Sequence, residues 1–152
     1  MDFIIERLPD IKWELGKSFR LRALENEPLA FASSSDFEET LSQSEWVRRN
    51  KNALFAFCED EPIGMIVLVR EHLEKMKHVA NIFGLYVKPE FRGKGVGTAL
   101  IDMAFKELGP KEGVKKVKLS VNCSQVDALH LYRGRGFTEV GRLNKELFVD
   151  GK

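Results

Sequence analysis

Three glycines at alternate positions, Gly93, Gly95 and Gly97, separate an extended apolar run from a helical one, and they limit what this chain can become. Ile82 to Val87 reads as the end of a strand, Pro89 opens a turn, and a helical pattern begins directly after the glycines. A strand feeding a glycine loop at a helix N-terminus is an anion site made of backbone. The first N–H groups of the helix lack partners, and the helix dipole adds positive potential at the same point. Glycine at alternate positions removes the Cβ atoms that would hold a phosphate away from those groups. Arg92 and Lys94 set cations beside them, which a turn needing glycine only for its backbone angles would not require.

The spacing excludes two common phosphate loops. The string G-x-x-x-x-G-K-[ST] does not occur. G-x-G-x-x-G fails because Thr98 and Leu100 stand where its last glycine belongs. The acidic residue that should follow about 20 positions later is missing as well, since that stretch reads Lys115-Lys-Val-Lys-Leu-Ser-Val. What remains is R-x-x-G-x-G, with Arg92, Gly95 and Gly97 in the fixed places. A second string follows it, in which Ala128, Leu131, Tyr132, Gly136 and Phe137 fall in register with N-x-x-A-x-x-L-Y-x-x-x-G-F, and Gln125 replaces the opening Asn.

With these two strings in this order, the chain resembles the GNAT family of N-acetyltransferases. The resemblance implies an α/β (α+β) fold, a mixed and mostly antiparallel sheet with helices on both faces. It also implies that the strand entering the glycine loop splays from the next strand and that acetyl-CoA enters the gap as co-substrate. Carried onto this sequence, the cofactor contacts fall on Leu85, Tyr86, Val87, Arg92, Gly93, Lys94, Gly95, Val96, Gly97 and Thr98, and on Gln125, Ala128, Tyr132 and Arg135. The implied reaction is direct acetyl transfer to a primary amine of a small molecule or protein. A module that senses acyl-CoA without turnover, or an enzyme using another acyl group, stays open.

Composition agrees with one soluble domain over residues 1–152. Lys and Arg total 24 against 23 for Asp and Glu, so no overall field favours nucleic acid or an anionic membrane. Residues 88–118 nevertheless hold eight basic and four acidic side chains, a surplus beside the glycine loop. The N-terminal stretch lacks the pattern of an export signal, which predicts a cytoplasmic protein. Monomer and homodimer are equally compatible with the sequence. Cys58 and Cys123 lie in apolar runs and are expected as reduced, buried thiols. Three histidines without metal-ligand spacing predict no metal site.

Periodicity predicts a short strand over residues 3–7, a helix over 9–24, and a helix over 37–49 preceded by capping residues at 33–36. Strands are expected at 53–59 and 63–69, joined by a turn at Glu59-Asp-Glu-Pro62, and at 79–87. A helix follows the glycine loop to Leu108, where Gly109 and Pro110 stop it. A strand over 114–122, a helix over 125–135 and at least one strand within 137–149 complete the order.

Acetyl transfer needs a deprotonated amine, donors for an oxyanion and a proton for the departing thiolate. Backbone N–H groups of Leu85 to Val87 are the expected oxyanion donors, because a splayed strand leaves them without a ladder partner. Tyr132 is the candidate acid, since a phenol is protonated at neutral pH. No carboxylate stands between Val79 and Val87 to act as base. Asn81 occupies the position, able to orient a water, and Glu71, His72 and His78 are near it in sequence. By the same resemblance, Phe31, Trp46 and Arg22, with Arg20 nearby, would wall the acceptor site.

Overall fold

A computed structural model describes residues 1–109 and 112–151. Five strands, β1 (Ile4–Glu6), β2 (Ala53–Cys58), β3 (Glu61–Arg70), β4 (Val79–Val87) and β5 (Lys116–Lys118), stand side by side in chain order within one sheet. The first three pairings are antiparallel and the β4–β5 pairing is parallel. The α-helices are α1 (Trp13–Asn26), α2 (Ser35–Glu39), α3 (Gln43–Asn50), α4 (Val96–Glu107) and α5 (Val126–Gly134).

Both faces of the sheet are covered, as its continuous apolar strands require. Along β2 successive side chains take opposite faces. Leu54 and Ala56 join Leu100, Ile101 and Ala104 of α4 and Tyr132 of α5 in one core cluster. Ala53, Phe55 and Phe57 join Phe19, Ala23 and Leu24 of α1 in the other, with α2 and α3 against α1.

Several elements differ from their sequence expectation. The helix expected over 37–49 is two, because Ser42 starts a new one. Its Oγ accepts from the Glu45 N–H at 3.3 Å while the Glu45 carboxylate accepts from the Ser42 N–H at 2.8 Å, a reciprocal cap. The first helix begins at Trp13 after a 3₁₀ turn, which leaves Ile11 88% exposed. Helix α4 ends at Glu107, and Pro110, expected to stop it, lies outside the described residues.

The segment 137–149 contains no strand. It runs without ladder partners through a turn at Asn144–Lys145, where Lys145 has φ 61°, and Val140, Leu143 and Phe148 are exposed. Alternating side chains favour extension, but a strand also needs an edge to pair with. Cys58 is partly buried, whereas Cys123 is exposed in the loop before α5, so the expectation of two buried thiols fails for Cys123. Among the described residues no helix is long and apolar enough to cross a membrane.

Candidate active site

Strand β4 carries the site because its two edges are treated differently. Toward β5 it pairs only at Val79↔Lys116, Ala80↔Val117 and Asn81↔Lys118. From Ile82 to Val87 that edge has no strand beside it among the described residues, which is the expected splay. Toward β3 the ladder continues, but Met65 pairs with Tyr86 and Val67 with Phe83. Ile66 therefore faces both Gly84 and Leu85, a β-bulge. Gly84 takes φ +59°, a conformation that glycine adopts at little cost. The expected oxyanion stretch Leu85–Val87 starts at this bulge. Tyr86 turns inward against Phe19, its hydroxyl accepting from Asn26 Nδ2 at 3.1 Å.

At the far end of that open edge lies the glycine loop. Gly93 has φ +70° and Gly95, the N-cap of α4, has φ +84°. A Cβ at either would touch nothing within 4 Å, so backbone conformation rather than crowding demands glycine there. Gly97 differs, since a Cβ there would meet Leu131 Cδ2 at 3.1 Å. It is small to let α5 approach α4, a packing demand that the loop pattern alone does not reveal. Val96 is buried in the core and Thr98 is half-buried.

The flanking cations brace the loop. Arg92 donates from Nε to the Val87 carbonyl and from Nη2 to Glu27, each at 2.8 Å, and lies over the Tyr86 ring. Lys94 donates to the Glu90 carbonyl at 3.0 Å. With no side chain at Gly95 to cap them, the first N–H groups of α4 face the loop.

Helix α5 begins after Gln125, whose side chain makes no cap, and it packs Ala128 and Leu131 on the core. Tyr132 is buried with its ring edge against Phe137. Burial alone pushes its phenol up to about 12. Arg135 pairs instead with Asp102 of α4 at 3.3 Å.

Where the β4–β5 ladder stops, Asn81 Nδ2 donates to Glu71 Oε1 at 2.9 Å, and Lys118 Nζ lies 4.0 Å from the same oxygen. Asn81, Phe83, Lys118, Leu119 and Ser120 line a small cavity of about 230 Å³. His72 and His78 are exposed. A larger depression of about 950 Å³ lies at the opposite end of α4, where its Arg7–Glu107 and Arg70–Glu112 pairs are already made.

The expected acceptor wall is only partly there. Trp46 is 2% exposed and belongs to the packing, because α3 turns it inward. Arg22 is exposed and its charge acts on Glu61 at the start of β3. Phe31 is buried beneath Arg20, whose Cζ lies 4.7 Å from the ring centre. Sequence reading missed Glu38, 1% exposed and bridged by Arg20 and Arg49 at 3.0 Å each. Burial works to raise its carboxyl, but the hydrogen bonds and charges of the two arginines together hold it below the usual carboxylate value. The glycine in the middle of an apolar strand was the available signal for the bulge at Gly84.

Comparison with known proteins agrees with this arrangement. Over 98 residues the chain is 33% identical to an uncharacterized N-acetyltransferase of Methanocaldococcus jannaschii, covering 62% of this chain and 43% of that one. It is 29% identical over 96 residues to the spermidine N(1)-acetyltransferase of Escherichia coli K12, covering 62% and 50%. The chain thus spans about half the length of the curated relatives it matches. A Salmonella typhimurium acetyltransferase solved with acetyl-CoA superposes with a TM-score of 0.81 at 13% identity, covering 100% of this chain and 88% of that one, a likeness of fold. The model of the acetyltransferase (GNAT) family matches residues 15–137, most of the chain, and the protein belongs to that family.

Proposed function

We propose that the protein transfers an acetyl group from acetyl-CoA to a primary amine. The observation that carries this reading is the open edge of β4, which runs from a fork at Asn81 to an anion cradle at Gly93–Gly97. At about 3.3 Å per residue the stretch from Ile82 to Val87 spans roughly 17 Å, comparable with an extended pantetheine arm. Phosphates at the loop would therefore lay the arm along this edge with the thioester at the Gly84–Leu85 bulge and the fork beyond it for the amine, where holding the two together replaces a bimolecular encounter.

In this reading the amine nitrogen attacks the thioester carbon and negative charge gathers on the carbonyl oxygen beside the bulge N–H groups. The C–S bond then breaks, and Tyr132 gives its proton to the departing thiolate. Glu71, held by Asn81, receives the proton lost by the amine through a water, and solvent exchange restores both groups. Asn81 cannot take the proton itself, because an amide is not a base at neutral pH.

The deciding experiment measures thiol release from acetyl-CoA across a panel of amines that includes spermidine, the acceptor named for the Escherichia coli relative. Release with at least one amine supports the proposal. Protection of the protein by acetyl-CoA against heating, with no release for any amine, overturns it in favour of a binding module.

A further inference from the structure

Arg20, on α1, sets its guanidinium against the back of the β4 bulge. Nε and Nη2 donate to Glu38 at 3.0 Å each. The remaining nitrogen, Nη1, is buried and donates to no acceptor among the described residues. A Cβ on Gly84 would stand 2.7 Å from that Nη1. The guanidinium thus fills the volume that the missing side chain leaves at the bulge. Two arginines share the single Glu38 carboxylate, so the cluster keeps one positive charge in excess. Arg49 is 39% exposed and spends its charge partly in water, whereas Arg20 is 16% exposed.

A buried donor without an acceptor is costly, and so is a glycine within a strand. Both costs fall on one spot, where β4 presents its open edge to the fork. A side-on pair through Nε and Nη2 leaves Nη1 over in any protein, but only its placement against the bulge glycine puts that nitrogen behind β4.

We infer that Arg20 is a positioning residue for acetyl transfer, holding uncompensated positive charge behind the Gly84–Leu85 peptide at the oxyanion site. The inference rests on the acetyl-transfer reading. When the amine bonds to the thioester carbon, the carbonyl π pair moves onto oxygen. When that pair returns, the C–S pair leaves with sulfur. Charge fixed in place beforehand, in a site poor in water, favours the intermediate without reorganising. Arg20 acts through the bulge peptide and touches no reacting atom.

The test reads the carbonyl stretch of acetyl-CoA labelled with ¹³C at the thioester carbon and bound at saturation, together with kcat and KM. In the wild type the stretch moves down from its value in water. Arg20→Met brings it back toward that value and lowers kcat by about tenfold or more, while KM for acetyl-CoA changes less than about threefold. Arg20→Lys, which keeps the charge, restores most of both. Arg20→Gln, neutral but still able to donate to Glu38, shifts stretch and kcat in the same direction, which covers the event that Arg20→Met fails to fold. An identical stretch in wild type and Arg20→Gln with turnover still measurable overturns this inference alone. Wild-type protein that binds no labelled acetyl-CoA overturns the acetyl-transfer reading, and this inference with it.

Discussion

Asn81 gives its side-chain amide to Glu71 across 2.9 Å at the residue where the parallel ladder between β4 and β5 ends. That bond supplies the fork with a carboxylate that β4 itself lacks. If Glu71 receives the amine proton, Glu71→Gln keeps a similar shape and lowers kcat by about 10²-fold. Asn81→Ala, which frees the carboxylate without removing it, costs about tenfold. His72→Ala and His78→Ala should stay close to wild type. Initial rates between pH 6 and 10 check this, and a histidine variant slower than Glu71→Gln reassigns the base.

Tyr132→Phe should lower kcat by roughly 10²-fold with acetyl-CoA affinity little changed, because the ring and its packing on Phe137 remain. Burial raises the phenol to about 12, so it keeps its proton throughout the working range. The rate should therefore climb with pH as more amine becomes free and show no descending limb below about pH 11 from this group. Its contribution to stability is complete below the ordinary phenol value of 10.0 and is lost as pH rises from there through about 12. Loss of affinity in proportion to rate would make Tyr132 a packing residue.

Gly95 and Gly97 should fail in different ways when enlarged. Gly95→Val forces a branched side chain to φ +84° and places it in the cradle, so acetyl-CoA should no longer raise the melting temperature. Gly97→Ala has no such backbone demand but presses on Leu131, so it should lower the melting temperature of the free protein while acetyl-CoA still stabilises it. Calorimetry with and without acetyl-CoA separates the two, and an undiminished shift for Gly95→Val removes the cradle assignment.

Glu38 ties α2 to α1 and α3 through Arg20 and Arg49. Its folded-state value lies below the 4.5 of a free carboxyl despite burial, so its stabilisation is complete above about that pH and is lost as pH falls through the lower folded value. Glu38→Gln should destabilise the protein at pH 7 by about 3 kcal/mol, since two guanidinium groups lose their carboxylate. The wild-type and variant unfolding free energies should then converge as pH falls below 4.5. Parallel acid limbs would show that another carboxylate governs this transition.

The site was legible where chemistry depends on local residues and illegible where it depends on packing. Gly93 and Gly95 announce a left-handed loop before a helix in any context, and residues 79–87 form the strand their apolar run predicts. Gly97 reads like its two neighbours, yet only Leu131, far along the chain, explains it. Trp46 stood in the acceptor wall by resemblance alone, and its place on the apolar side of its helix already agreed with the packing found. Glu38, in a stretch rich in acidic residues, gave no sign that Arg20 and Arg49 would enclose it. The bond from Asn81 to Glu71 needs the β3–β4 register, which residue pattern alone leaves open.

Leu131, the neighbour of Tyr132, rests where Gly97 has no side chain, within the first turn of α4. The contact fixes the distance between the anion cradle and the phenol by helix against helix, not by the length of a mobile loop. If phosphates lie at the cradle and Tyr132 meets the sulfur, as in the acetyl-transfer reading, the pair of helices acts as a ruler between the two. A thioester with a shorter arm should then react more slowly than acetyl-CoA.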